Sequence, residues 1–339
     1  MKTNLKNMTL KEMEIYFETL GEKKFRARQV YSWLYRGIYS FEDMTDLSKE
    51  LRAKLSEFAF IEALSIEDLQ ISPKDGTRKY LFGLSDEFAV ESVFLKYRYG
   101  NSVCLSSQAG CRMGCLFCAS AIGGLSRSLT ASEMVDQILA IEKDVAERVS
   151  HIVVMGTGEP FDNYENLLRF LELVRSEEGL NISARSITVS TCGLVPKIHE
   201  LAKDMPQVNL AISLHASNDA IRDTLMPINK KYPMDQLLDA AKAHIARTNR
   251  RVTFEYALIK GINDSDKQAK ELAGKLRGML CHVNLIPLNE VSETAYKGSP
   301  RDKVEEFKKI LEAAGIQTTL RRGLGEDIDA ACGQLRLGR

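Results

Sequence analysis

Three closely spaced cysteines are the residues best suited to chemistry. Cys111, Cys115 and Cys118 form a C-x3-C-x2-C run on one loop, directly after a predicted strand. A four-iron cluster normally takes one thiolate per iron, so three thiolates would leave the fourth iron open to a substrate. Catalytic zinc sites likewise keep one position open. The alternative is a structural zinc site with Cys104 as fourth ligand, although its separation from Cys111 fits the usual paired spacings poorly.

A glycine pair with an acid follows the next predicted strand, in the run Gly156-Thr157-Gly158-Glu159-Pro160. Glycines let a backbone approach a ligand closely, and a carboxylate suits an ammonium group. A plain strand-to-helix turn could have the same composition. From these residues alone, a ligand site at Gly158 and Glu159 and a plain turn both stay open.

Polar residues close three later predicted strands, at Ser190, at Ser213-Leu214-His215 and at Asn289. Each could merely cap a helix or satisfy loop backbone, and His215 on its own is more typical of a hydrogen-bonded structural residue. Their shared place at strand ends predicts a ring of polar contacts around one ligand.

Strand-like and helix-like segments alternate from Val103 onward, and this alternation is what would position the loops. Six successive β/α units predict an α/β fold with a parallel sheet, closed or partly closed as a TIM-like barrel. Chemistry in such folds gathers at the carboxyl ends of the strands. The predicted strands are Val103–Ser107, Ile152–Gly156, Ser186–Thr191, Asn209–His215, Arg251–Ile259 and His282–Asn289, and the predicted helices are Ala131–Glu147, Tyr164–Arg175, Pro196–Lys203, Met234–Thr248, Ser265–Arg277 and Arg301–Ala314.

The segment before this repeat reads first as helices and then as strands. Apolar residues at helical spacing predict helices over Leu5 to Leu20 and Phe25 to Ile38, and Ser48 can cap a third. Residues Ile66 to Phe94 alternate in strand fashion, with a turn at Pro73-Lys74-Asp75-Gly76. We therefore predict two parts. These are a small N-terminal helical accessory domain over 1–75, and a barrel core over 76–339 that includes the loop around Cys332.

Composition limits the class of protein. The 46 Lys and Arg residues equal the 46 Asp and Glu residues, which argues weakly against nucleic acid because local patches, not net charge, contact phosphates. No apolar run approaches a membrane span, and the start lacks a signal-peptide core. We therefore expect a cytoplasmic protein with no membrane partner. Seven cysteines, three of them within eight residues, suit metal ligation better than a disulfide framework.

The cysteine loop resembles the defining motif of the radical-SAM superfamily, with the aromatic Phe117 just before the last cysteine. In that superfamily the open iron binds the amino and carboxyl groups of S-adenosylmethionine, and electron transfer yields a 5′-deoxyadenosyl radical. The chain is more specifically similar to the RlmN/Cfr family of RNA methyltransferases. The matching motifs run in order over about residues 90–335: Cys104-Leu-Ser-Ser-Gln, Phe-Cys-Ala, Gly-Thr-Gly-Glu-Pro, Val-Ser-Thr-Cys-Gly, Ser-Leu-His, Leu-Met-Pro-Ile-Asn, His-Val-Asn-Leu-Ile-Pro and Asp-Ile-Asp-Ala-Ala-Cys-Gly-Gln-Leu.

The resemblance implies a methyltransferase acting on carbon 2 of adenosine, in the peptidyl-transferase centre of 23S rRNA and in the anticodon loop of tRNA. It implies a [4Fe-4S] cluster on Cys111, Cys115 and Cys118, two molecules of S-adenosylmethionine per turnover, and an external electron donor such as flavodoxin. We expect the protein to act as a monomer. The implied cofactor contacts are Gly158, Glu159, Ser190, Ser213, Leu214, His215 and Asn289.

Two further cysteines acquire roles through the resemblance. A lone cysteine such as Cys332 is most often an inert small hydrophobe, although its small neighbours give it access. The family implies that Cys332 takes a methyl group and that Cys104 resolves the protein–RNA crosslink through a transient disulfide. Glu91 matches the family's proton acceptor. Cys192 and Cys281 have no implied role.

Basic residues near these motifs are candidate RNA contacts, although a charge run is often only a solvated helix face. The target adenine must leave its stack to reach a radical, so a single-stranded or loop target is favoured. The candidates are Lys23, Lys24, Arg26, Arg28, Arg112, Arg127, Arg321 and Arg322.

Three other functions compete. A Cfr-type methyltransferase acting on carbon 8 of adenine would share the cluster and both cysteines, but Pro160 and the run after Cys118 favour carbon 2. A non-catalytic RNA-binding protein with structural zinc would give no role to Cys332. A radical-SAM activase that makes a glycyl radical on a partner would not need the pair Cys104 and Cys332.

Overall fold

The computed structural model describes residues 2–289, 291, 293–335 and 337–338. The strands are β1 (Thr3–Asn4), β2 (Ala59–Phe60), β3 (Ser65–Ile71), β4 (Arg78–Gly83), β5 (Ala89–Tyr97), β6 (Gly100–Cys104), β7 (Gln108–Gly110), β8 (Leu125–Ser128), β9 (His151–Val154), β10 (Ile187–Thr191), β11 (Asn209–Ser213), β12 (Val252–Leu258), β13 (Cys281–Pro287), β14 (Gln317–Leu320) and β15 (Leu337–Gly338). The helices are α1 (Leu10–Thr19), α2 (Lys24–Leu34), α3 (Lys49–Phe58), α4 (Ala131–Val145), α5 (Tyr164–Arg175), α6 (Val195–Asp204), α7 (Asp219–Leu225), α8 (Met234–Thr248), α9 (Asp266–Leu276) and α10 (Arg301–Ala313).

One large sheet organises the chain. Its strand order is β14-β13-β12-β11-β10-β9-β6-β5-β4-β3, with β15 beside β5. The strands from β6 through β9 to β14 are parallel, and β3, β4 and β5 continue one edge in antiparallel fashion. The predicted α/β fold with six β/α units in a partly closed barrel is confirmed, and β14 adds a parallel strand that we did not predict.

Helix bounds follow local capping. The predicted first helix from Leu5 was wrong at its start, because Thr9 and Glu12 form a capping box. The Glu12 amide bonds to Thr9 Oγ1 at 3.3 Å, and Glu12 Oε2 accepts the Thr9 amide at 2.8 Å. Ser48 caps α3 as predicted, accepting the Leu51 amide at 3.2 Å. Helix α2 ends at Leu34, four residues before the predicted end.

Most buried apolar side chains of the described residues fall into two hydrophobic cores. One is built from residues between Leu5 and Ala59, and the main core from strands and helices between Leu64 and Ile316. Strand β3, which precedes residue 75, joins the large sheet, and the division of the chain at that residue stays a prediction. No helix within the described ranges is both long and apolar enough to cross a membrane.

A buried ion pair joins the N-terminal segment to the barrel. Lys6 Nζ bonds to Asp136 Oδ1 of α4, and both side chains are almost wholly inaccessible to solvent. Asp136 also accepts the Leu64 amide at 2.6 Å. Lys6 stacks on Tyr39, with its Nζ 4.0 Å from the ring centroid. The ion pair of Lys6 and Asp136 therefore links the two cores, and the Leu64 amide and the Tyr39 ring provide further contacts to the buried charges.

Replacing Lys6 with alanine is expected to lower the free energy of unfolding by about 3–5 kcal/mol, because the carboxylate of Asp136 would remain buried without its cation. Urea denaturation followed by circular dichroism measures this. Lys242→Ala removes an exposed pair with Asp239 and should change stability by about 1 kcal/mol or less. If Lys6→Ala and Lys242→Ala lower the free energy of unfolding equally, the buried pair contributes no more to stability than the exposed pair.

Candidate active site

The carboxyl ends of the parallel strands open into one cavity of about 950 Å³. The sheet explains the meeting of distant motifs, because every parallel strand ends at the same edge. The predicted site residues that line this cavity are Cys111, Cys115, Cys118, Gly158, Glu159, Ser190, Ser213, His215, Asn289 and Cys332.

The three clustered cysteines occupy one loop between β7 and β8. The loop is tied at Cys111, whose amide bonds to Gly124 O at 2.9 Å, and at Leu116, whose amide bonds to Leu225 O at 3.0 Å. Burial raises the pKa of Cys111 to about 12 and also raises the pKa of Cys115 and of Cys118. Such thiols ionise readily only with a cationic metal centre beside them.

The donor set fits an iron–sulfur cluster better than a single ion. Across the described residues, no three His, Cys, Asp or Glu side chains converge as a mononuclear metal site. Cluster thiolates each bind a different iron, so they need not converge on one point. Cys104 lines a neighbouring pocket, away from the wall formed by the other three cysteines, which disfavours it as a fourth ligand.

Gly158 and Glu159 form another part of the cavity wall. Gly158 has φ +106°, and a Cβ there would lie 2.6 Å from Gln108 Cβ, so the position needs glycine. Glu159 is buried, and its carboxylate accepts the Cys192 amide at 2.7 Å and the Phe161 amide at 3.0 Å. Burial raises the pKa of Glu159, whereas these bonds lower it. A carboxylate has about four lone-pair positions, which leaves capacity for an ammonium group.

His215 is held rigidly at the end of β11. Its backbone is left-handed, with φ +55°, and its Nδ1 accepts the Ala257 amide at 2.9 Å. Its ring packs edge-on against Phe117, with centroids 5.0 Å apart. Burial, helped by the charge of Arg222, lowers the pKa of His215 to about 3, so the ring is neutral near pH 7. The side chain of Leu214 is buried and does not line the cavity.

Cys332 lies on the C-terminal loop, residues 321–335, which closes over the cysteine loop. The Ala119 amide bonds to Gly333 O at 2.8 Å, and Ser120 Oγ donates to Leu335 O at 2.7 Å. Asn289 Nδ2 donates to Cys332 O at 3.2 Å. These bonds place the Cys332 thiol at the edge of the cavity.

Cys104 and Cys332 both line a second, much narrower pocket. Both thiols are free. Burial raises the pKa of Cys104, and the neighbouring Cys332 adds to this while Arg321 opposes it. Arg321 lines both pockets, and the neighbouring Cys332 is the main cause of a raised pKa of its guanidinium. The two cysteines and this cation thus form one group.

Comparisons with known proteins agree with this geometry. The family model for the ribosomal RNA large subunit methyltransferase N-terminal domain matches residues 3–61, and that of the radical SAM superfamily matches residues 105–273. A crystal structure of a radical SAM methyltransferase from Sphaerobacter thermophilus is 45% identical, covers 98% of this chain and 99% of its own, and superposes with a TM-score of 0.94.

Relatives that match this chain over almost its full length identify the family to which it belongs. A Thermoanaerobacter protein named as a probable dual-specificity RNA methyltransferase RlmN is 54% identical over 98% of this chain and 97% of its own length. A protein of the same name from Desulforamulus reducens is 54% identical over 99% and 96%. The chain belongs to the RlmN family. Radical-SAM chemistry with a [4Fe-4S] cluster and S-adenosylmethionine comes with that membership.

Glu91 of this RlmN-family chain lies on β5, outside both pockets. It precedes by two residues Val93, which pairs with Cys104, so Glu91 and Cys104 share one sheet face. Its Oε1 lies 3.3 Å from Lys79 Nζ, and Lys79 also donates to Asp329 O of the C-terminal loop at 3.4 Å. Glu91 is thus connected to the C-terminal loop through one lysine.

The candidate RNA contacts differ in how far their charges are engaged within the protein. Arg127 pairs with both Asp86 and Glu133, so its charge is balanced and it links β8 to the start of α4. Arg112 pairs with Asp162 but stays 61% exposed. On the N-terminal helices, Lys24 forms an exposed pair with Glu18, and the exposed Arg28 pairs with the largely buried Glu14. A phosphate can displace a partner of an exposed lysine or arginine at little cost.

Sequence reasoning on this RlmN-family chain missed two buried charges. Glu255 lines the cavity from β12, and its Oε2 accepts Asn284 Nδ2 at 2.8 Å. Burial raises the pKa of Glu255, while Arg321 and Asn284 oppose this. One acidic residue within an otherwise apolar strand was a usable signal. Arg222 is wholly buried behind the strand ends, and no periodicity marks it.

Proposed function

We propose that this RlmN-type radical-SAM RNA methyltransferase methylates carbon 2 of adenosine, in the peptidyl-transferase centre of 23S rRNA and in the anticodon loop of tRNA. The observation that carries the proposal is the place of Cys332, which lines both the cofactor cavity and the pocket of Cys104. A thiol at that boundary can take up a methyl group on one side and meet a second thiol on the other.

The chemistry of adenine favours a covalent route. Carbon 2 is electrophilic, so direct transfer of a methyl cation is unfavourable, and two easier steps replace one difficult step. Bound to Cys111, Cys115 and Cys118, the cluster together with S-adenosylmethionine supplies a 5′-deoxyadenosyl radical. Cys332 Sγ first takes the methyl group of one S-adenosylmethionine, with S-adenosylhomocysteine as the leaving group. The S-methyl group of Cys332 then gives a hydrogen atom to the radical, which becomes 5′-deoxyadenosine, and the remaining methylene carbon bonds to carbon 2. Each turnover therefore uses two molecules of S-adenosylmethionine.

Release of the product falls to Cys104 and Glu91. Cys104 Sγ bonds to Cys332 Sγ as the bond from Cys332 to the transferred carbon breaks. The electron pair of that bond stays with the carbon, which gains a proton and becomes the methyl group. Glu91 accepts the proton lost from carbon 2, and the unpaired electron of the adduct would pass to the cluster held by Cys111, Cys115 and Cys118, so that the released nucleoside is closed-shell. The shared pocket of the two cysteines and the shared sheet face of Glu91 and Cys104 support these roles.

Cofactor binding follows the cavity wall. Glu159 accepts the amino group, and Gly158 permits the close approach of the ligand. The remaining polar groups of the cofactor meet Ser190, Ser213, His215 and Asn289. Leu214 contributes through its backbone, whose carbonyl accepts Arg222 Nε at 3.1 Å.

The partners of the reaction are RNA and an electron source. The protein takes electrons from an external donor such as flavodoxin and acts as a monomer in the cytoplasm. The exposed basic residues of the N-terminal helices and Arg112 contact phosphates. The target adenine leaves its stack to reach the cavity, as base-modifying enzymes require.

Product analysis tests the proposal. Anaerobically reconstituted protein, S-adenosylmethionine, a reductant and unmodified ribosomal RNA or tRNA are combined, and the digested nucleosides are separated by mass spectrometry. We expect 2-methyladenosine. Formation of 8-methyladenosine would instead identify the Cfr-type reaction, and 5′-deoxyadenosine with neither nucleoside would contradict the RNA assignment while leaving the radical chemistry intact.

A further inference from the structure

Arg222 is a buried cation that cross-links two strand ends. It lies on α7 and is 0% exposed. Its Nε donates to Leu214 O at 3.1 Å, and one terminal nitrogen donates to Cys192 O at 2.6 Å and to Ser213 O at 3.1 Å. These carbonyls directly follow or end β10 and β11, which also carry the cavity residues Ser190 and Ser213.

Asn229 completes the hydrogen bonds of this guanidinium. Its Oδ1 accepts the second terminal nitrogen of Arg222 at 2.9 Å, and its Nδ2 donates to Asp219 and Asp223 at 2.8 Å each. Within the part of the chain that the structure describes, no carboxylate forms an ion pair with Arg222 itself. The carboxylates of Asp219 and Asp223 reach the guanidinium only through Asn229, so the other nitrogens of Arg222 are left to hold the strand-end carbonyls.

The groups that act on the charge of Arg222 are two cysteines, Cys192 and Cys115, and the carboxylates Asp219 and Asp223. Burial lowers the pKa of Arg222, and the Cys192 and Cys115 thiols lead the groups that oppose that shift. Helix α7 also touches the loop directly, because Leu225 O accepts the Leu116 amide at 3.0 Å. The cation therefore stands behind the loop that would carry the cluster and is joined to it by a backbone bond.

We propose that Arg222 is a positioning residue that holds the ends of β10 and β11 against the cysteine loop and supplies a buried positive charge behind that loop. The inference rests on the proposed cluster site at Cys111, Cys115 and Cys118. A four-iron core held by three thiolates is anionic and becomes more so on reduction, so a fixed cation favours the reduced state. Arg222 thus makes the cluster easier to reduce.

The test measures the midpoint potential of the full-length, reconstituted holoprotein by a redox titration followed by electron paramagnetic resonance. Arg222→Gln should lower the equilibrium constant for one-electron reduction at least about tenfold, which is about 59 mV. Arg222→Lys keeps the positive charge but loses the planar guanidinium that bonds to several carbonyls at once. The equilibrium constant for reduction should therefore stay within about twofold of wild type. Binding of S-adenosylmethionine, measured by calorimetry, should weaken about tenfold.

Arg250→Gln is the matched control. Arg250 is half-buried, burial lowers the pKa of its guanidinium as well, and it bonds to Asn209 at the amino ends of the same strands. This variant should change neither potential nor affinity. The inference would be overturned if Arg222→Gln had the same midpoint potential as the wild-type protein. It would also be overturned if Arg222→Gln and Arg250→Gln shifted the midpoint potential equally.

The lysine variant keeps the inference testable if Arg222→Gln fails to fold or to hold the cluster. If Arg222→Lys has an unchanged midpoint potential and binds S-adenosylmethionine more weakly, the inference is supported. If Arg222→Lys binds S-adenosylmethionine as tightly as the wild-type protein does, the inference is overturned. Failure of the proposed function is a separate result, because wild-type protein would then hold no cluster on the three cysteines or would form no 2-methyladenosine.

Discussion

Replacing Cys332 with alanine is expected to abolish RNA methylation, lowering it at least about 10³-fold, while 5′-deoxyadenosine still forms. The substitution removes the only thiol that, among the described residues, lines both pockets. It leaves the three cluster cysteines and the Gly158–Glu159 wall in place, so cofactor cleavage should persist. Mass spectrometry of the digested RNA and chromatography of 5′-deoxyadenosine from the same reaction measure both effects.

Cys281→Ala is the control for that experiment. Cys281 is also buried, but it begins β13, at the end of the strand remote from the cavity. This variant should methylate RNA at the wild-type rate. Methylation that persists in Cys332→Ala would remove the methyl-carrier role, and loss of 5′-deoxyadenosine in the same variant would show that the C-terminal loop is needed to bind the cofactor.

Replacing Cys104 with alanine is expected to trap the protein on its RNA. The bond from Cys332 through the transferred carbon to the adenine would form, but no second thiol would be present to break it. We expect at most about one adduct per protein molecule and a loss of multiple turnover similar to that of Cys332→Ala. A denaturing gel should show a protein band shifted by RNA, and nuclease should return it to its original position.

The double variant Cys104→Ala/Cys332→Ala separates this prediction from nonspecific crosslinking. Without Cys332 no adduct should form, whereas a shifted band in the double variant would place the bond on another residue. Cys104→Ser tests the chemistry further. A hydroxyl fits the same buried space but cannot form a disulfide, so the adduct should accumulate there too.

The fold was largely predictable because each of its units carries a strong local pattern. The amphipathic period fixed the bounds of α5 and α8, and the apolar runs between them became parallel strands. Strand β14 was missed because it spans only Gln317–Leu320 and contains two threonines, a pattern also typical of loops. Helix α7 is seven residues long, too short to show a period.

The site was predictable where a residue type has a recognisable chemical use, and not where its role depends on burial. The cysteines and the Gly158–Glu159 run could be picked out by type and spacing. Arg222 and Glu255 could not be, because a single sequence does not show that a charged side chain is enclosed by neighbours distant in the chain. Arg321 was predicted as a phosphate contact, which stays a prediction, and its place in the pocket that Cys104 and Cys332 share was not foreseen.

The hydrogen bonds from Ala119 and Ser120 to the C-terminal loop couple the order of that loop to the order of the cysteine loop. Ala119 and Ser120 directly follow Cys118, so disorder in the metal-binding turn would pass straight to the segment that carries Cys332. In protein that has lost its iron to oxygen, the loop that holds Cys332 should therefore also lose its order. Cys332 should then be alkylated faster in iron-depleted than in iron-loaded protein. Equal alkylation rates would refute this expectation. Oxidative damage would then switch off both halves of the reaction together, and a damaged molecule would not go on consuming S-adenosylmethionine for methyl groups that it cannot deliver.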